Sequence, residues 1–597
     1  ELLSKYLDPE QARLAQAILL GQREDVDRAT NEAFVETGTV HILCIAGLHM
    51  GIVAWLLFLS VGWMPRRWAI ICVMATTGAY MLLTTAQPPV IRATLLIWIV
   101  CLGMLLGRFR FGLNSLALAG LALLVINPSD LFRTGVQLSF VSVGILIWAG
   151  ERFFKDVELD PLDRLIAATR PWPQRAMRKV RHYFGEIFWI GAVLWVAIVP
   201  LVMYRFHVFS PVSLVLNVVL IPVVTVIMGT GLGVLVFGAW LTPVAAMFGW
   251  ICNSCLMFLD RAVKWSVELP AARLWVVGPN AIWLGVFYLA LAAMILAPRW
   301  MPPLRWRTAL LGAWCGVALL MAAPKAPADG ELRCTFIAVG HGGGELLEMP
   351  GGKTLLYDAG KLGQPEGGAQ SISCYLWSRG ISHLDAVVIS HADTDHYNSL
   401  PELLKRFSVG IVYASPVMFK EKSKALVALR ECIERSGTKL ANVYAGDRLG
   451  TDGGVSIDAL HPPPDGVDGN DNANCVVLSV QYRGRKLLLT GDLGSPGMEM
   501  VMNDARLDYD VVQAPHHGSS YNDPEDFSKW TKPKWVFISG NLLDGNIARQ
   551  IYADHGAKVL NTADCGAITA TIDAEGDRSG RLQIETFHPM ALADDSK

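Results

Sequence analysis

Ten apolar runs follow one another through the first half of the chain, near residues 41–62, 68–84, 90–106, 112–126, 134–149, 187–204, 211–240, 244–260, 281–298 and 307–323. A bilayer-spanning helix needs about 20 mostly apolar residues. A soluble helical core has no use for so many consecutive runs, so residues 41–323 are expected to form a polytopic α-helical membrane domain. A few of the runs are short enough to be re-entrant or buried. The composition, 52% hydrophobic and 17% charged, averages two unlike halves, because charges return at ordinary density from Pro324 onward. The net charge of −2 therefore says nothing about partners.

Residues 1–40 read as an amphipathic juxtamembrane segment, and this start, without an initiating methionine, reads as a piece of a longer protein. The eleven cysteines are scattered. Cys252 and Cys255 are a close pair in an apolar stretch without histidines, which argues against a zinc or redox motif.

Loop charges give an orientation. "MPRRW", "GRFRFG", "RPWPQRAMRKVRHY" and "PRWMPPLRWR" are basic, whereas "TTAQPP" is uncharged. Basic loops stay in the cytoplasm, so a last span at 307–323 would deliver residues 324–597 to the periplasm or cell exterior. That count requires 211–240, which contains Pro222, to cross once. Within the runs, His49, Arg92, Gln137, His207 and Asn217 are costly in hydrocarbon. Each alone fits an interhelical contact or an interfacial position; together they suggest a water-accessible path. Gly47 and Gly51 would allow close helix approach.

After the Pro/Ala-rich linker the pattern becomes short strands and helices, expected to form a soluble α/β sandwich with its working loops at strand ends. Three strand-end clusters stand out: "SHADTDH" with His391, Asp393, Asp395 and His396; "LLLTGD" with Asp492; and "QAPHHGSS" with His516, His517 and Ser519. An aspartate after a strand is commonly a turn or cap residue, and His-His-Gly alone could be a surface loop. The combination is different, because four of only 13 histidines fall in two of these clusters. The spacing H-x-D-x-D-H lets one loop serve two adjacent divalent ions.

These clusters resemble the metallo-β-lactamase fold in its nuclease-like branch. The stretches "GTVHILCIAGLHMGIVAWLL", "NPSDLFRTGVQLSFVSVGIL" and "PLVMYRFHVFSPVSLVLNVVLIPVV" resemble the competence domain of the ComEC family of DNA-uptake channels. The two matches stand in that family's order. The resemblance implies that His391 and Asp393 face one ion and Asp395 and His396 another, with Asp492 bridging and His516 as a further ligand. Asp395 and Asp492 would be the catalytic pair, and His517, an alternative ligand or phosphate contact, would line the substrate rim with Asn472 and Ser519. Asp393 stands where the lactamase motif has histidine, so Mn²⁺ or Mg²⁺ competes with Zn²⁺. Asp358 in "LLYDAG" is expected to orient a ligand, and His461 to be structural.

Ala338 and Gly343 replace two acidic residues of the family's pattern, with His341 between them, and "NLLDGNIARQ" lacks a usual late histidine. The implied function is DNA internalisation across a bacterial inner membrane, one strand passing through the channel while the other is degraded, alongside other DNA-uptake proteins. Two other readings stand beside it. One is a membrane-anchored metallohydrolase of envelope phosphodiesters; the other is a channel whose hydrolase domain only binds.

Overall fold

The computed structural model describes residues 1–588 except 86, 108–111, 154–168, 170, 270–271, 297–302, 304–305, 307–308, 311, 315, 318–329, 421–422, 451, 504–507, 523, 542–545 and 574–579. The chain divides into two compact units, residues 1–321 and 322–597.

The first unit is helical. Four helices are long and apolar enough to cross a membrane: Pro88–Leu105, Trp172–Phe206, Val212–Phe237 and Thr242–Val267. Shorter apolar helices accompany them, among them Gly47–Ser60, Gly112–Ile126 and Ala281–Leu296. Large apolar side chains such as Leu121, Val125, Trp250 and Leu289 face outward, as a lipid-facing surface requires. This unit is the polytopic membrane domain. Val212–Phe237 runs through Pro222 as one helix; its 26 residues, at about 1.5 Å each, span about 39 Å. The expected span at 307–323 lies mostly outside the described residues.

Two expectations are corrected here. The basic stretch 170–183 is not a loop over its described part. From Trp172 it forms the first turns of the helix that ends at Phe206, because Pro173 sits near the helix start and Gln174, Arg175, Ala176, Met177, Arg178 and Lys179 all favour helix. Nor do residues 1–40 merely flank the membrane unit. Leu3, Ile18, Leu19 and Phe34 share one apolar core with Leu220, Ile227 and Leu256. Gly249 permits that approach, since a Cβ there would lie 2.8 Å from the Tyr6 carbonyl oxygen.

The second unit is a two-sheet α/β sandwich. Its strands are β1 (Leu332–Phe336), β2 (Glu345–Glu348), β3 (Thr354–Tyr357), β4 (His383–Ile389), β5 (Ser408–Ala414), β6 (Lys439–Asn442), β7 (Arg448–Gly450) and β8 (Ser456–His461). They continue with β9 (Val477–Tyr482), β10 (Arg485–Leu489), β11 (Val511–Gln513), β12 (Trp535–Ile538), β13 (Lys558–Asn561), β14 (Ile568–Ile572) and β15 (Leu582–Thr586). One sheet has the order β15-β14-β1-β2-β3-β4-β5-β6, the other β13-β12-β11-β10-β9-β8-β7. Alternate apolar residues of both sheets meet in a shared core that includes Phe336, Tyr357, Val388, Leu478 and Phe537.

Strands β3 to β6 run parallel in the first sheet, and β10 to β13 run parallel in the second. Parallel strands end on the same side, and the loops leaving them gather there. The β9–β10 hairpin turns through Arg483 and Gly484, both at positive φ (46° and 74°), the two-residue turn that matches strand twist.

Candidate metal centre

Three of these strand ends carry the clusters seen in the sequence. Strand β4 ends at Ile389 and leads through Ser390 and His391 into the one-turn helix Thr394–Tyr397, whose N-cap is Asp393. That turn brings Asp395 and His396 inward, both buried. Strand β10 leads to Asp492 across Gly491, whose φ of 52° lets the chain pass Ser390, where a Cβ would come within 2.8 Å. Strand β11 leads to His516 and His517, both in left-handed backbone (φ 49° and 53°). Two consecutive non-glycine residues in that region store strain.

Among the described residues, one group offers ligand atoms that all lie within 4.8 Å of one another: Asp395, His396, Asp492 and His517, all buried. His396 Nε2 lies 3.2 Å from Asp492 Oδ1, and His517 Nε2 lies 3.5 Å from Asp395 Oδ2 and 3.6 Å from Asp492 Oδ2. His391 adjoins the group, its ring centroid 4.3 Å from that of His396 and its Nε2 3.3 Å from Asp393 Oδ2. Asp393 is itself 47% exposed, at the mouth. His516 reaches Asp492 Oδ2 at 3.7 Å with a 39% exposed side chain. Of the two adjacent histidines, the inward one is thus His517, not His516.

The buried Nε2 atoms of His391, His396 and His517 make no hydrogen bond, although carboxylate oxygens face them at 3.2 to 3.5 Å. Buried polar atoms are rarely left unpaired, and divalent cations among them would use every one. Their other ring nitrogens are engaged. His396 Nδ1 donates to Asp358 Oδ2 at 2.7 Å, and His517 Nδ1 donates to the Ser539 carbonyl. His391 Nδ1 pairs with Ser390 Oγ at 2.9 Å. Such partners orient an imidazole and leave its Nε2 lone pair for a metal. The residues present fit a divalent ion.

The electrostatics agree. Burial alone would raise the Asp395 carboxyl, but the facing His517 imidazole and the His396 charge outweigh it and push it down to about 2. Asp492 is likewise held well below the carboxylate range by His517 and His396 against the effect of burial. Burial would lower His396, yet Asp492 and Asp358 raise it well above its ordinary value. The site favours positive charge at its centre, and its carboxylates are ionised at neutral pH, as ligands must be.

Sequence reasoning missed a second layer. Glu345 on β2 is fully buried and accepts from Gln513 Nε2 at 3.1 Å. Gln513 Oε1 in turn accepts from the backbone N–H groups of Thr490 and Gly491 at 3.0 and 3.2 Å, fixing the loop that carries Asp492. Burial, followed by the nearby Asp358 charge, raises Glu345 well above the usual carboxylate range. Glu345 at the head of the strand Glu-Leu-Leu-Glu was the available signal.

The expected rim residues lie nearby. The Asn472 carbonyl accepts from Gly494 N at 3.0 Å, two residues past Asp492. Asn470 caps the short turn Asp471–Asn474. Ser519 Oγ accepts from Tyr521 N in a local turn. His461 donates from Nδ1 to the Cys475 carbonyl at 2.8 Å, with its Nε2 against Gly497.

The polar residues of the helical unit do not form a comparable group in their recorded contacts. Arg92 donates to the Gly135 carbonyl at 3.2 Å and Gln137 to the Leu131 carbonyl at 3.0 Å; both meet the segment that opens helix Thr134–Phe153. His207 ends helix Trp172–Phe206 and accepts from Gly278 N. His49 is fully buried in helix Gly47–Ser60, and Asn217 Oδ1 is buried without a partner.

Comparison with known proteins agrees with both halves. Residues 346–529 match the model of the metallo-beta-lactamase superfamily and residues 18–301 that of the competence protein family. Fold and centre together make the C-terminal unit a metal-dependent hydrolase domain of the metallo-β-lactamase superfamily. ComE operon protein 3 of Bacillus subtilis (strain 168) is 26% identical over 95% of this chain and 72% of its own length. Competence protein ComA of Neisseria gonorrhoeae is 25% identical over 96% of this chain and 77% of its own. Over nearly its whole length the chain is similar to these competence proteins. Among solved structures, Zn²⁺-bound PqqB from Methylobacterium extorquens is similar at a TM-score of 0.27 and 10% identity, covering 37% of this chain and 85% of that one.

Proposed function

We propose that this protein internalises DNA across the bacterial inner membrane, one strand passing through the helical unit while the hydrolase domain degrades the other. The observation that carries this reading is a buried His/Asp group with cation-seeking electrostatics in the same chain as a competence-type membrane domain. In this reading Asp395, His396, Asp492 and His517 hold one ion, and His391, Asp393 and His516, with Asp492 shared, hold a second.

When bound, divalent ions supply Lewis acidity to a phosphodiester and lower the pKa of an attacking water. The chain's own residues do the rest. Asp358 and the Ser539 carbonyl hold the Nδ1 protons of His396 and His517, so their Nε2 lone pairs face inward. Gln513 keeps the Asp492 loop in place. Asp393 and His516, the more exposed members, border the side from which a strand enters; Asn472 and Ser519 belong to the same rim.

The hydrolase domain faces the periplasm or exterior in this reading, which a reporter fused after Lys597 tests by being active only outside the cytoplasm. The function itself is tested by transformation of a deletion strain. Wild type should restore uptake of labelled DNA into the cell, with acid-soluble nucleotides released outside. Restored uptake without such release would remove the strand-degradation half.

A further inference from the structure

We infer that His341, in the loop between β1 and β2, is a ligand of the inner metal position and gives it a third histidine. The inference deepens the metal-centre reading above and rests on it. Three imidazole nitrogens converge on one carboxylate oxygen. Asp395 Oδ2 lies 3.7 Å from His341 Nε2, 3.5 Å from His517 Nε2 and 3.9 Å from His396 Nε2. The His341 ring stands beside that of His517, with centroids 4.2 Å apart and planes inclined by 45°. Both rings bring Nε2 within 3.7 Å of the same Asp395 oxygen.

The backbone is built to hold His341 there. Gly340 and Gly342 flank it at φ 95° and 146°, conformations that suit glycine. A Cβ on Gly342 would meet the Gly360 carbonyl oxygen at 2.5 Å and the Asp395 carbonyl oxygen at 2.8 Å, so the loop lies directly on the ligand-bearing turn. Three hydrogen bonds pin it: Gly343 N to the Asp395 carbonyl (3.2 Å), Leu362 N to the His341 carbonyl (2.8 Å) and Ser539 Oγ to the Gly342 carbonyl (2.8 Å). Ser539 is the residue whose carbonyl orients His517, so both rings are set by one anchor. A side chain at Gly343 would strike Asp358, 2.6 Å from its Cβ. This packing leaves no room for a carboxylate at 343, and His341 is the donor that the loop brings to the centre.

A third imidazole favours a borderline ion such as Zn²⁺ or its spectroscopic substitute Co²⁺ over Mg²⁺. The experiment is titration of the detergent-solubilised full chain with Co²⁺, followed by visible absorption and by metal content after desalting. His341→Ala should weaken Co²⁺ binding about 10- to 100-fold and change the ligand-field bands. His341→Cys should keep binding and add a thiolate-to-cobalt charge-transfer band absent from wild type. Wild-type Co²⁺ affinity in His341→Ala, or no new band in a folded His341→Cys protein that binds Co²⁺, overturns the assignment and leaves the metal centre standing. A wild-type chain that binds no Co²⁺ overturns both.

Discussion

Asp358 takes the Nδ1 proton of His396 at 2.7 Å with one carboxylate oxygen and the backbone N–H of Ser390, also at 2.7 Å, with the other. One side chain at the end of β3 thus sets both the tautomer of a ligand histidine and the path of the chain leaving β4. It does so from left-handed backbone, φ 60°, which asparagine also tolerates.

Asp358→Asn should therefore fold normally yet present an amide of mixed polarity to His396. Removing such an orienting partner commonly lowers metal affinity about 10- to 100-fold. Metal content after dialysis against a graded chelator measures this. Retention equal to wild type would mean that packing alone orients His396.

Asp395→Ala and Asp492→Ala should each abolish metal-dependent cleavage of single-stranded DNA, because each removes a carboxylate shared by at least two imidazoles. A gel assay with labelled oligonucleotide and added Mn²⁺ or Zn²⁺ reads the outcome. Unchanged rates in both variants would remove the nuclease assignment.

Glu345 gives a pH-dependent prediction. Its carboxyl is raised in the folded protein, first by burial and then by Asp358, above an unfolded value of about 4.3. Between those two values the folded state holds a proton that the unfolded state has lost, so stability falls as pH rises through that window. Glu345→Gln keeps an acceptor for Gln513 without titrating. Its melting temperature should gain on wild type as pH rises from about 4 upward. Glu345→Ala leaves the buried Gln513 Nε2 without its acceptor and should cost about 1–3 kcal/mol. Parallel melting curves for wild type and Glu345→Gln at all pH values would refute the buried neutral acid.

Arg92 concerns the channel. Its guanidinium donates one end to the Gly135 carbonyl, and its planar fork keeps further donors for a phosphate. Arg92→Lys preserves charge and reach but not the fork. Uptake of labelled DNA should fall markedly while protein level and cleavage stay normal. Wild-type uptake would mark Arg92 as an interfacial anchor.

What the sequence determined by itself was whatever is written in neighbouring residues. Run length and hydropathy marked helices such as Pro88–Leu105 and Thr242–Val267, because a lipid-facing helix must satisfy its backbone internally and cover itself with apolar side chains. The spacing of His391, Asp393, Asp395 and His396 already placed four side chains of ligand type on one turn, since one loop holds all four. The tertiary structure decided everything that depends on meeting across the sandwich. Whether His516 or His517 turns inward follows from two left-handed residues and the Ser539 carbonyl, 22 residues away. Glu345 touches Gln513 across 168 residues, and His341 reaches Asp395 from another strand connection. Local periodicity carries no record of such contacts. They arise because parallel strands from both sheets end on one side, and only folding brings those ends within hydrogen-bonding distance.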